Sequence, residues 1–338
     1  MATNRRKKKK LPIAPIVVFI IALVIYLGAS YLDFAGIDTD MLGIDIDLGE
    51  YNIFSNISDK PDGDSVSQTS ASDTEVYLPP IAVEGEVTFH FIDVGQGDSI
   101  LVTTAEGNML IDTSVNGAKD ELDAYFAKVG VTELEYLVLT HPDADHIGCA
   151  DYIINNYQIK NILLTDYVAT TKTYDRMLTA IENSEANVII PEPGYTFSLG
   201  GLQNTVIAPN ADYDDPNEMS IVFRAVFGNT AVMLTGDAEK ESEADIVDIW
   251  SAADLKSTIL KAGHHGSSTS SSQAFLDLVD PEIVVISCGA DNKYGHPHDD
   301  AIARYEAMGL DIYRTDLQGT VVFKTDGTSF TYVPLTEE

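Results

Sequence analysis

From Glu86 onward, short apolar runs alternate with polar punctuation. VTFHFIDV, SILVTTA and NMLIDTS carry the alternation and β-branched content of strands, with GQGD as a turn between the first two. LEYLVLT predicts a buried strand, and NILLT, NVIIP, NTVIAP, IVFRAVF, AVMLT, STILKA, IVVIS and VVFKT predict more. KDELDAYFAKVG places Leu122, Phe126 and Val129 at helical spacing and ends on Gly130. IGCADYIINNY and AIARYEAMG also read as helices. Many strands with interspersed helices point to an α/β domain containing two sheets.

The N-terminal pattern differs. Residues Leu11 to Leu32 contain no charge and are long enough to cross a bilayer as a helix. They follow the basic run RRKKKK, which predicts a cytoplasmic tail over 1–10, a signal anchor over 11–32 and everything beyond outside the cell. The competing expectation is secretion after signal cleavage at the small triplet Gly28-Ala29-Ser30. Residues 33–85 are acidic and then rich in Ser, Asp and Gly without periodicity, the composition of a flexible linker. The folded domain is expected over 86–335.

Charge narrows the function. The chain has 20 Lys and Arg against 53 Asp and Glu among 338 residues. Six of the bases fall in the first ten positions and no acid precedes Asp33, so the remainder carries 14 bases against 53 acids, a net −39. Such a body repels polyanions at long range and counts against tight nonspecific nucleic-acid binding. The two cysteines, Cys149 and Cys288, form neither a CxxC zinc knuckle nor a disulfide framework, and read as small buried residues.

Six of the seven histidines sit in three loops, each after a predicted buried strand. In THPDADHIG, His141, Asp143 and Asp145 alternate and would converge on one side of an extended segment, with His146 at the start of a helix. Imidazole with carboxylate suits zinc, manganese or iron. In LTGDA, Asp237 ends an apolar strand and could bridge two metals, although Gly-Asp alone is only a turn signal. In LKAGHHGSSTSSS, one of His264 and His265 could bind metal while the other faces substrate; Ser267 and its neighbours could contact an anion but are preferred as caps of a helix near Gln273. In DNKYGHPHD, His296 and His298 could donate to a phosphate or leaving group, or form a surface turn. Lys261 and Lys293, in the same loops of an acidic body, hint at an anionic substrate.

Six motifs in order, FIDVGQGDSILV, LIDTS, THPDADHIG, LTGDA, LKAGHHGS and YGHPH, resemble the metallo-β-lactamase superfamily and, within it, the hydrolase domain of ComEC-type DNA-uptake proteins. The resemblance implies an αββα sandwich, two mixed β-sheets face to face with helices outside. It implies two divalent metals, zinc ahead of manganese: His141 and Asp143 on the first, Asp145, His146 and His265 on the second, Asp237 bridging, and His264 toward substrate. The superfamily usually has a histidine at the place of Asp143 and another before Asp237. No histidine lies between His146 and His264; Asn217 and Ser220 match an N-x-x-S pattern of the ComEC-like branch, so the first site is expected to be weakly held.

The expected function is a membrane-anchored, extracytoplasmic, metal-dependent hydrolase acting on a phosphodiester or related anionic ester, nuclease-like by resemblance. Asp145 would orient the attacking water, and His264, His296 or His298 would protonate the leaving oxygen. The alternatives are a cell-wall or phosphocholine-type esterase and a non-catalytic, metal-stabilised binding module. A lone anchor cannot import DNA, so transport is not carried over.

Overall fold

The computed structural model describes residues 84–334. The basic tail, the apolar span 11–32 and nearly all of the linker lie outside the described residues. Among the described residues, no helix is long and apolar enough to cross a membrane.

Among the described residues, fifteen strands form two sheets. The first contains β1 (Val87–Phe91), β2 (Ile100–Thr104), β3 (Gly107–Ile111), β4 (Glu133–Leu139), β5 (Gln158–Leu164), β6 (Asn187–Ile189), β14 (Val321–Thr325) and β15 (Phe330–Tyr332), in the order β15-β14-β1-β2-β3-β4-β5-β6. The second contains β7 (Thr196–Leu199), β8 (Leu202–Ala208), β9 (Val222–Phe227), β10 (Thr230–Leu234), β11 (Ile259–Lys261), β12 (Ile283–Ile286) and β13 (Asp311–Arg314), in the order β13-β12-β11-β10-β9-β8-β7. Each sheet is antiparallel at one end and parallel at the other: β3 to β6 run parallel, as do β10 to β13.

Parallel neighbours require crossovers, and helices supply them. In the first sheet these are α1 (Lys119–Val129), α2 (Ala150–Asn156) and α3 (Lys172–Glu182). In the second they are α4 (Lys240–Ile249) with the short α5 (Ala252–Leu255), then α6 (Gln273–Val279) and α7 (Asp299–Met308); α8 (Thr315–Gln318) follows β13. Gly130 ends α1 in the left-handed region at φ 78°, the terminus its sequence predicts.

Three apolar layers result. Phe89, Phe91, Val102, Met109 and Phe323 of the first sheet meet Phe197, Phe223, Phe227, Val232 and Val285 of the second. Each buried Phe in this layer contributes about 1.5–3 kcal/mol relative to exposure, so side chains rather than loops hold the sheets face to face. The outer face of the first sheet packs Leu101, Leu110, Leu137 and Ile162 on Leu122, Phe126, Ile153 and Met177 of α1 to α3. The outer face of the second packs Met233, Leu260 and Val284 on Ile246, Phe275 and Tyr305 of α4, α6 and α7. The expected αββα sandwich of two mixed sheets is therefore present. Because β3, β4, β10, β11 and β12 share a direction within their sheets, the loops after them gather at strand carboxyl ends, where open α/β sheets place their sites.

Candidate metal centre

Three imidazoles meet one carboxylate at this edge. Asp237, after β10, has its Oδ2 3.2 Å from His146 Nε2, 3.4 Å from His265 Nε2 and 4.0 Å from His141 Nε2. Each ring is held from behind by its other nitrogen. His146 Nδ1 donates to Asp112 Oδ2 at 2.7 Å. His265 Nδ1 donates to the Ser287 carbonyl at 2.9 Å. His141 Nδ1 lies 3.1 Å from Thr140 Oγ1, whose own proton goes to Asp112 Oδ2 at 2.7 Å. Fixing Nδ1 as the donor leaves Nε2 free as the ligand atom in all three rings.

The first loop reaches this arrangement by a different route from the one its sequence suggests. Residues 141–149 are turned rather than extended; His146 N–H and Ile147 N–H both donate to the Asp143 carbonyl, and α2 begins only at Ala150. Convergence therefore comes from a folded loop and not from a period of two. His264 and His265 both occupy the left-handed region, at φ 44° and 55°, conformations that bulky residues keep only where the surroundings impose them.

The donor set fits a divalent cation. His141 Nε2, His146 Nε2, His265 Nε2 and Asp237 Oδ1 are buried without a hydrogen-bond partner, a costly state for four adjacent polar atoms unless a ligand satisfies them. His141, His146 and Asp237 offer atoms within 4.8 Å of one another, and so do Asp145, His146 and His265. Asp145 Oδ2 is 3.4 Å from His265 Nε2. Among the described residues, Asp143 joins no such group; it is partly exposed and lines the cleft beside them.

Electrostatics point the same way. Burial opposes charge on Asp237, yet His146 and His265 hold its carboxyl well below the usual range. Burial likewise opposes protonation of His265, but Asp237, Asp145 and Asp98 raise it to about 10; Asp237 and Asp112 lift His146 in the same way. His141, buried and next to protonated His146, falls to about 3. Protons thus sit on His146 and His265 where a cation would otherwise balance the acids.

The candidate ligand groups open on a cleft of about 80 Å³ lined by Gln96, Asp143, Asp145, Asp237, His264, His265, Tyr294 and His296. A larger groove of about 410 Å³, around Thr165, Pro191, Pro209 and Met219, contains none of the histidines. His264 Nδ1 is bound to Glu239 Oε1 at 2.5 Å, and its Nε2 is 3.8 Å from Asp237 Oδ2. Burial would lower the His264 pKa, but the Glu239 hydrogen bond and the Asp237 charge raise it. Burial, then His264, lowers His296 to about 4. His298 lies behind His296 and does not line the cleft; its Nδ1 accepts from Ser268 N–H at 2.9 Å.

Three weaker sequence expectations change. Lys261 does not face a substrate: it is fully buried, with Nζ 2.7 Å from Asp98 Oδ2 and donating to the Ala262 carbonyl at 2.8 Å. Ser267 is buried and bonded to Thr269 Oγ1 at 2.7 Å, turned into its own loop. Ser272 occupies the N-cap position of α6 without a side-chain capping bond, and the Glu243 carboxylate accepts from the Ser271 and Ser272 N–H groups just before the helix. Lys293 is exposed at the rim, its Nζ 4.8 Å from the Tyr294 ring centre. Ser220 lies inside the site, 3.3 Å from His141 Nδ1 and accepting from Asp237 N–H at 3.1 Å, while Asn217 Oδ1 is buried without a partner. Both cysteines are buried and free.

Sequence reasoning missed Asp98, Asp112 and Glu239, which orient or balance the histidines. Asp98 and Asp112 stand inside FIDVGQGDSILV and LIDTS, so the signal existed as a motif without a role.

The sequence profile of the metallo-β-lactamase superfamily matches residues 92–290. Competence protein ComA of Neisseria gonorrhoeae is 33% identical over 251 residues, covering 73% of this chain and 33% of that protein. ComE operon protein 3 of Bacillus subtilis is 29% identical over 265 residues, covering 73% of this chain and 34% of that protein. The chain thus spans about a third of the length of these curated relatives. The structure of the metallo-β-lactamase fold protein YhfI from Bacillus subtilis aligns with 71% of this chain and 100% of that one, at 11% identity and a TM-score of 0.49. On the extent of the profile match and of the ComA similarity, the chain belongs to the metallo-β-lactamase superfamily, with ComEC-type competence proteins among its relatives.

Proposed function

We propose that this protein is a metal-dependent hydrolase of phosphodiester or related anionic ester bonds, anchored by residues 11–32 with its domain outside the cell. The observation that carries this reading is the convergence of three unpartnered imidazole nitrogens on the Asp237 carboxylate, beside an open cleft. His141, His146 and Asp237 would hold one ion and Asp145 and His265, beside them, a second, with Asp143 on the cleft wall and zinc ahead of manganese. When bound, such ions supply Lewis acidity toward a phosphoryl oxygen and activate water at neutral pH.

The chain's own groups complete the chemistry. Asp145 and Asp237 accept hydrogen bonds from the attacking water and orient it. His264, proton-loaded through Glu239, presents Nε2 to the cleft as the acid for the leaving oxygen. His296 and Tyr294 form the wall across which that oxygen departs. With Lys261 committed to Asp98, attraction for a substrate anion rests on the metals, protonated His264 and rim Lys293. That arrangement favours one reacting phosphodiester over a long polyanion gripped at many phosphates.

Assaying the full chain with bis(p-nitrophenyl) phosphate, single-stranded DNA and nitrocefin tests this reading. Hydrolysis of the phosphodiester, lost in Asp145→Ala, is expected; nitrocefin turnover alone, or full activity in Asp145→Ala, would overturn it.

A further inference from the structure

One polar group on the cleft wall has no part in holding metal. Gln96 lies on the loop between β1 and β2. Its Oε1 accepts from Gly289 N–H at 3.3 Å, which sets the orientation of the amide. Its Nε2 is buried and has no hydrogen-bond partner, although the side chain lines the cleft with Asp145, Asp237 and His264. A buried N–H donor left unpaired is unfavourable, and in a cleft wall it is a place kept for a ligand acceptor.

The backbone holds this donor firmly. Gly97 has φ +119°, and a Cβ there would strike the Asp145 carbonyl, to which Asp98 N–H donates at 3.1 Å. A Cβ on Gly289 would lie 2.8 Å from Gln96 N. Two residues without side chains therefore let the Gln96 loop press between the Asp145 loop and the loop after β12. Asp145, Asp237 and His265 are among the groups that would hold metal, and His264 is tied to Glu239. Gln96 offers N–H donors that do not titrate and no charge that would compete with the acids.

We propose that the Gln96 side-chain amide donates a hydrogen bond to a non-bridging oxygen of the substrate's phosphoryl group, which makes it an uncharged positioning contact for the anion beside the charged groups; this rests on the phosphodiesterase reading above. Gln96→Glu keeps an acceptor for Gly289 N–H but replaces the donor with an anionic oxygen. Gln96→Met removes both functions at similar length. In the zinc-loaded full chain, the Kd for inorganic phosphate by calorimetry and the KM for bis(p-nitrophenyl) phosphate should rise roughly tenfold or more in both variants. The rise should be larger for Gln96→Glu, with bound zinc and Tm unchanged and kcat altered less than KM. Unchanged phosphate Kd in Gln96→Glu would overturn the assignment, as would loss of zinc or of Tm in both variants, which would make Gln96 a support for the loop. If the wild type binds phosphate yet leaves the phosphodiester intact, the hydrolase reading falls, while phosphate Kd still decides the role of Gln96.

Discussion

Asp112 fixes the ring of His146: Oδ2 accepts from Nδ1 at 2.7 Å, which leaves Nε2 3.2 Å from Asp237 Oδ2. The same carboxylate takes Thr140 N–H at 2.8 Å, so one acid, not itself on the cleft, aligns the loop that carries His141 and His146. Losing an outer partner of this kind costs about 10–100-fold in metal affinity. Asp112→Ala should weaken zinc binding by that order in a chelator competition. Unchanged affinity would remove Asp112 from the account of the site.

Protons and metal compete for the same nitrogens. His265, raised to about 10, and His146, also raised, are both protonated at neutral pH in the metal-free chain. Each must lose its proton to bind, so zinc affinity should fall by about tenfold for each unit that pH is lowered, per proton displaced. Titrations between pH 6 and 8, in two buffers of different ionisation enthalpy, will count the protons released. A pH-independent affinity would contradict the pairing described.

His264 owes its raised pKa to Glu239 and Asp237, against burial. As the proposed acid it must be protonated, so activity should fall as pH rises through its pKa. Glu239→Gln removes one of the supporting charges and should move that basic limb to lower pH. A pH–rate profile on bis(p-nitrophenyl) phosphate reads the shift; an unmoved limb would leave His264 without this role.

Buried Lys261 and Asp98 form an ion pair at 2.7 Å, which takes the lysine away from the substrate contact the sequence suggested for it. Lys261→Ala strands a buried carboxylate and should cost about 3–5 kcal/mol of stability. Lys293→Ala, at the exposed rim, should stay within about 0.5 kcal/mol. Urea denaturation of the two variants separates them, and equal losses would refute the distinction.

Glu243 gives a second pH signature, in stability. Burial raises it to about 7 from 4.5 while Ser271 and Ser272 N–H groups partly offset the shift. Between these values the folded chain holds a proton that the unfolded chain releases, so stability falls as pH rises from about 4.5 to 7, by on the order of 3 kcal/mol at most. Glu243→Gln should flatten that part of the curve. A slope unchanged by the substitution would place the titrating group elsewhere.

Much of the sheet framework was legible because its strands are buried on one or both faces, as in LEYLVLT and AVMLT. Helix α3 escaped notice although Tyr174, Met177 and Ala180 bury at helical spacing, since Asp175, Arg176 and Thr179 lie among them and dilute the apolar pattern. The edge strands β13 and β15 are short and largely unburied, so they carry little apolar pattern to read. At the site, His141, His146, Asp237 and His265 were legible as residue types after strands. Asp98, Asp112 and Glu239 were not, because an acid in a turn looks the same whether it faces solvent or a histidine from another loop. Lys261 failed for the converse reason: sequence places it next to the right loop, at the end of β11, but not on which side of the strand it points.

The central claim is that the His141, His146, Asp237 and Asp145, His265 constellation binds metal and that hydrolysis depends on it. The direct measurement is bis(p-nitrophenyl) phosphate hydrolysis by the full chain, with metal content determined in the same samples, before chelation, after it and after zinc or manganese is restored. The account predicts bound divalent metal, activity lost with it and regained on its return. Hydrolysis that persists in the metal-free chain, or a chain that binds no divalent metal, would contradict it.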